Sequence, residues 1–104
     1  MRITQGDDAV ELALSGEFDL SRAPTVKEEL SRALERLAQT GDTPTRMVLD
    51  LRELTFIDSS GIQVLVAARR RCLQQGIDLS LRVGGSQVRR VLSLAGVAEY
   101  LGVE

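Results

Sequence analysis

Met47-Val48-Leu49-Asp50-Leu51, followed by Arg52-Glu53-Leu54-Thr55-Phe56-Ile57-Asp58-Ser59-Ser60-Gly61-Ile62, is the stretch on which the fold turns. Its first five residues form a short, nearly continuous apolar run, the pattern of a strand covered on both faces. A carboxylate, two hydroxyls and a Gly then lead into Ile62, Leu65, Val66, Cys72 and Leu73, whose spacing predicts an amphipathic helix that Gly76 can end. A buried strand running straight into such a helix is half of a parallel crossover unit.

Upstream, Val10-Glu11-Leu12-Ala13-Leu14-Ser15 places its larger apolar residues two apart, which predicts a strand covered on one face. Residues near Met1 to Gln5 are expected to pair with it across a Gly6-Asp7-Asp8 turn. Between the two strand patterns, Ala23, Val26, Leu30, Ala33, Leu34 and Leu37 recur at three- and four-residue steps, with charged residues on the opposite face. The helix they predict has an ambiguous start: Ser21 can cap it, Pro24 belongs in a first turn, and Thr25 to Glu28 has the spacing of a capping box. Gly41-Asp42-Thr43-Pro44 is expected to close it.

Downstream, Leu79-Ser80-Leu81-Arg82-Val83 alternates as a further strand, Gly84-Gly85-Ser86 turns the chain, and Val88, Val91, Leu92 and Ala95 mark a third helix ending at Gly96. Val97, Tyr100 and Leu101 are expected to pack back on the sheet or to form one more turn. The order is β-β-α-β-α-β-α in a single α/β domain spanning residues 1–104, a mixed sheet with its helices mainly on one side. Ligands and partners of such sheets gather at the loops after the parallel strands, here Gly16 to Asp19 and Leu54 to Gly61.

Composition excludes much of catalysis. The 104 residues contain no His and one Cys, so an imidazole base, a Ser-His-Asp triad, a disulfide and the usual zinc sites are out of reach. Cys72 falls in an apolar helical pattern without a base beside it and reads as a packing residue. A net charge of -2 and three aromatic residues supply neither a basic field nor base-stacking platforms, so no nucleic acid is expected as partner. Arg69-Arg70-Arg71 and Arg89-Arg90 fit the solvated faces of helices. No run is apolar enough to span a bilayer and the first residues lack a signal-peptide core, so a cytoplasmic protein with no membrane insertion is expected.

The Asp58-Ser59-Ser60-Gly61 segment has two readings. In one, Asp58 or Ser59 is an ordinary N-cap and Gly61 lets the helix pack closely. In the other, a hydroxyl at the helix N-terminus accepts a phosphate, because the macrodipole and free amides there tolerate negative charge. The added charge of about -1.5 to -2 then changes the surface that a docked partner meets.

Val48 to Ile62, with Asp58-Ser59-Ser60-Gly61 at its centre, resembles the signature of the STAS domain, and specifically of the small bacterial anti-sigma-factor antagonists. Gly16-Glu17-Phe18-Asp19 stands where that family usually has Gly-Glu-Leu-Asp, and Leu94-Ala95-Gly96-Val97 is similar to its Gly-containing C-terminal segment. The resemblance implies a partner switch without enzymatic activity or cofactor of its own. Ser59 would be phosphorylated by an anti-sigma factor with serine-kinase activity and a histidine-kinase-like ATPase fold. Unphosphorylated, the protein would bind that factor and free a sigma factor; a phosphatase of the PP2C type would restore it after phosphorylation. By the same resemblance Asp58 orients the loop and caps the helix, Gly61 gives the kinase access to the backbone, Ser60 starts the helix or serves as a secondary acceptor, and Asp19 and Gly16 shape the neighbouring contact surface. Phe56, Ile57, Ile62 and Leu65 divide between core and docking anchors. Gln63 departs from the small residue common in the family and bears on which kinase is the partner. The alternative is a non-switching structural STAS subunit of a transporter or stress-signalling assembly.

Overall fold

A computed structural model describes residues 1–5, 9–40 and 46–103. The elements are β1 (Arg2–Gln5), β2 (Ala9–Phe18), α1 (Ala23–Thr40), β3 (Arg46–Ile57), α2 (Ser59–Gln75), β4 (Asp78–Arg82), α3 (Ser86–Leu94) and α4 (Ala98–Leu101). The sheet runs β1-β2-β3-β4. β1 pairs antiparallel with β2, while β2 with β3 and β3 with β4 are parallel. This is the mixed sheet expected from the sequence, extended by the short α4. The proposed Gly6-Asp7-Asp8 turn and the Gly41-Asp42-Thr43-Pro44 closure lie outside the described residues.

One contiguous core joins the sheet to the helices. Leu12 of β2, Met47, Leu49 and Leu51 of β3, Leu65 and Cys72 of α2, Leu92 of α3 and Leu101 of α4 are all fully enclosed in it. Burial pushes the Cys72 thiol up to about 11, so it packs as an apolar group and holds no thiolate near neutral pH. Val48 and Asp50 are also buried, yet Val48 stands outside that core. In register, Val48 lies between Glu11 and Ser80, and Asp50 between Ala13 and Arg82. The Glu11–Arg82 ion pair, at 3.8 Å, therefore crosses over β3 between them. Both faces of the central strand are covered as its apolar run suggests, but the second face is covered by neighbouring side chains rather than by helices.

The strands run further than their sequence patterns indicate. β2 continues to Phe18 and β3 to Ile57, so residues 16–18 and 54–57, expected as loops, are strand residues, paired except for Thr55. The pattern is hidden by two irregularities. Between Ala13↔Asp50 and Ser15↔Glu53, and again between Gly16↔Leu54 and Glu17↔Phe56, β3 carries one extra residue. Each bulge resets the alternation, which leaves Leu54 and Ile57 buried three residues apart and Thr55 and Phe56 both exposed.

The turn that leads into α1 is fixed by Asp19. Its carboxylate accepts from the Ser21 and Arg22 backbone N–H groups and from the Ser21 hydroxyl, and Ala23 N–H bonds its carbonyl. Ser21 therefore serves the cap rather than being it, Pro24 takes the second helical position, and Thr25 to Glu28 lies inside the helix instead of forming a capping box. α2 ends at Gly76, where φ is +70° and Ile77 N–H reaches back to the Cys72 carbonyl at 2.8 Å. The C-terminal tail does both things expected of it: α4 forms a turn and Val103 bridges to Leu81 alongside β4.

Candidate functional site

β2 and β3 end side by side, with Phe18 opposite Ile57. Each strand is followed at once by an aspartate whose carboxylate caps what comes next: Asp58 is the N-cap of α2, and Asp19 holds the turn of residues 20–22 that leads into α1. Asp58 Oδ1 accepts from the backbone N–H groups of Ser60 at 2.9 Å and Gly61 at 3.1 Å. Asp19 makes the equivalent bonds to the residues two and three positions on, at 3.1 and 3.3 Å. The Ser21 hydroxyl first, then the backbone donors, hold the Asp19 carboxyl below its usual range. Asp58 N–H also donates to the Phe18 carbonyl at 3.3 Å, tying the two strand ends together.

This duplicated geometry puts one residue at the crest of each turn: Leu20 after Asp19, and Ser59 after Asp58. Ser59 is the exposed first residue of α2, and its hydroxyl makes no hydrogen bond among the described residues. Asp58, not Ser59, satisfies the amides of the first turn, so the Ser59 Oγ is left unengaged at the positive end of a helix of 17 residues. Leu20 is 72% exposed, a large fraction for a leucine.

The other residues singled out from sequence divide between support and surface. Gly61 is buried: a Cβ there would lie 2.7 Å from the Phe18 carbonyl oxygen and 2.9 Å from Ile57 Cγ1. The close packing that one reading of the sequence anticipated is thus what the glycine provides. Ile57 and Leu65 belong to the core, Ile62 packs partly buried against it, and Phe56 is 38% exposed on the opposite side of β3 from Ile57. Gly16 adopts φ +79° at the second register shift, and its carbonyl accepts from Thr55 Oγ1 at 3.2 Å. Arg22 reaches the Ser15 and Glu17 carbonyls from the far side, with the Glu17 bond at 2.9 Å, so the bulged end of β2 is held from two directions.

Ser60 is partly buried and Gln63 is exposed; both line a groove of about 340 Å³ between the first turns of α1 and α2. Leu20, Pro24, Lys27 and Val64 also line it, with Ala23 and Ala67. Leu20 and Lys27 did not emerge from the sequence as site residues. Leu20 falls in a turn ahead of the helical periodicity, and Lys27 looks like any polar-face residue of α1. The available signal was a large apolar residue standing between two capping residues. Among the described residues, no group of three or more His, Cys, Asp or Glu is placed to hold a metal ion, and no helix is long and apolar enough to cross a membrane.

The family model for the STAS domain matches residues 1–104. The chain belongs to the STAS-domain family. Among curated relatives of this STAS domain, the anti-sigma-F factor antagonist RsfB of Mycobacterium tuberculosis is 29% identical over 86 residues, covering 83% of this chain and 65% of the relative. The chain thus spans slightly less than two thirds of that relative's length. The anti-sigma-B factor antagonist of Bacillus subtilis is 22% identical over 101 residues, covering 97% of this chain and 86% of the relative. Of solved structures, an anti-sigma factor antagonist from Mycobacterium paratuberculosis superposes with a TM-score of 0.83 at 20% identity, covering 98% of this chain and 81% of that one. The fold expected from the sequence is therefore the fold of solved anti-sigma factor antagonists.

Proposed function

We propose that this STAS domain is an anti-sigma-factor antagonist that works as a phosphorylation-controlled partner switch, with Ser59 as the acceptor. The supporting observation is the division of labour at the start of α2. Asp58 caps the helix, so the exposed Ser59 hydroxyl is spent on nothing structural. In this reading the unmodified protein binds an anti-sigma factor with serine-kinase activity and so frees a sigma factor. Phosphorylation of Ser59 by that kinase ends the binding, and a PP2C-type phosphatase reverses it. ATP, metal and catalytic base all belong to the kinase. The protein works in the cytoplasm and turns nothing over by itself.

The relatives' names support the antagonist role, and the site chemistry supports the switch. A phosphate on the first residue of a helix meets the positive end of the dipole, so it can be accommodated without melting the element. The test is retention of native-extract proteins on wild type, Ser59→Ala and Ser59→Asp, followed by phosphorylation of the wild type with the purified captured kinase and mass-spectrometric location of the phosphate. The expected result is one ATPase-fold kinase held by wild type and Ser59→Ala, lost from Ser59→Asp, and phosphate on Ser59 alone. The same assembly or transporter subunits on all three baits would instead make the protein a structural STAS component.

A further inference from the structure

We infer that the groove between α1 and α2 is the specificity pocket of the switch, receiving from the anti-sigma factor an apolar side chain flanked by an acidic one, with Lys27 selecting the acid. The inference deepens the function proposed above and rests on it. The groove is continuous with the Ser59 turn, because Ser60 and Gln63 form one wall while Leu20 and Pro24 form the other. It then narrows along the two helices into a recess of about 110 Å³ beside Leu30 and Leu34, with Lys27 and Val64 shared between the two.

Charge decides the chemistry of the occupant. The charged residues lining groove and recess are Lys27 and Arg71, both cationic. Arg71 is already near Glu35, at 3.9 Å. Lys27, the only lysine in a chain whose other basic residues are all arginine, has no ion-pair partner among the described residues. An exposed leucine and an unpaired ammonium on one groove present an apolar contact with a cation at its edge. A partner surface that matches them carries an apolar anchor next to Asp or Glu.

The same arrangement explains how a phosphate one residue from the groove can expel the partner without refolding either protein. Phosphoserine at position 59 brings about -1.5 to -2 charges to the mouth of the groove. There it competes for Lys27 and repels the partner's acid.

The experiment uses the kinase captured above, purified, and measures its affinity for wild type, Leu20→Ala, Lys27→Met, Lys27→Glu, Ser59→Asp and Leu94→Ala across a salt series. Leu94 is exposed on α3 outside the groove and serves as control. Expected are losses of about tenfold for Leu20→Ala and for Lys27→Met, as for anchor residues of protein interfaces, and a larger loss for Lys27→Glu. Lys27→Met should also flatten the salt dependence, while Leu94→Ala binds as wild type. Thermal unfolding of each variant checks that these exposed substitutions leave the fold intact. Wild-type affinity in the Leu20 and Lys27 variants, with Ser59→Asp still defective, overturns the groove and leaves the switch standing. Failure of unmodified wild type to bind any such kinase overturns both.

Discussion

Gly61 and Ser59 stand two residues apart in the same helical turn and answer to opposite constraints. Ser59 faces open solvent, so removing its hydroxyl changes almost nothing that the fold uses; Gly61 faces the Phe18 carbonyl with no room for a methyl group. That carbonyl cannot retreat freely, since it accepts the Asp58 N–H and lies on a paired strand end. Gly61→Ala should therefore destabilise the protein by about 1–3 kcal/mol, the usual cost of overpacking a closed site. Ser59→Ala should stay within about 0.5 kcal/mol of wild type, as exposed substitutions do. Urea unfolding of the two variants beside wild type checks both. Equal stability of Gly61→Ala and wild type would mean that α2 can shift away from β2, and the geometry at the start of the helix would need to be redrawn.

The elements show where sequence patterns carry the fold and where they stop. The leucines of β2 and the α1 stripe were legible because burial follows a single repeat in each, and residues 47–51 because an unbroken apolar run matches a strand buried on both faces. The last third of β3 was not, because two bulges turn a period of two into buried residues three apart at Leu54 and Ile57. Ser59 was legible because an Asp-Ser-Ser-Gly string marks a helix start. Leu20 was not, because its importance comes from a neighbouring strand end, Ile57, 37 residues away in sequence, which no local pattern encodes.

The face of the sheet away from the core adds a pH prediction at this scale. Arg52 donates from Nε and Nη2 to the two Asp50 carboxylate oxygens, at 2.9 and 2.7 Å, and its backbone N–H adds a third bond at 3.1 Å. These bonds, the guanidinium's first, hold the Asp50 carboxyl down to about 2 against its partial burial. A carboxyl whose folded value lies below its unfolded value stabilises the fold above the unfolded value, and that contribution fades as pH falls from about 4 toward about 2. Asp50→Asn should cost about 1 kcal/mol at neutral pH, as lost charge-assisted bonds at a half-open site do. The difference from wild type should shrink below about pH 4, measured by urea midpoints across the acid range. A constant difference between pH 7 and pH 2 would show that Asp50 contributes by packing alone.

For the molecule as a whole, the question raised by a phosphate on Ser59 is whether release works through the fold or only through the surface. Two local terms of similar size oppose each other. The positive end of α2 favours the phosphate by about 0.3–1 kcal/mol, while the Asp58 carboxylate one residue away repels it through solvent. Asp58 remains fixed by its bonds to Ser60 and Gly61, and the core of β3, α2 and β2 lies beneath the turn without touching solvent at Leu12, Leu49 or Leu65. The terms nearly cancel, so the phosphorylated protein should melt within about 4 °C of the unmodified one, the shift that about 1 kcal/mol produces in a domain of this size. Backbone amide shifts on phosphorylation should be confined to the two turns and the groove, residues 16–27 and 55–67, leaving Met47, Leu81 and Leu101 unmoved. A melting point lowered by 10 °C or more, or shifts running through those core residues, would mean that the switch acts by loosening the domain. With the melting point held and the shifts local, release in the proposed switch would act through the added charge at the surface, because the surface a partner meets changes while the scaffold that presents it does not.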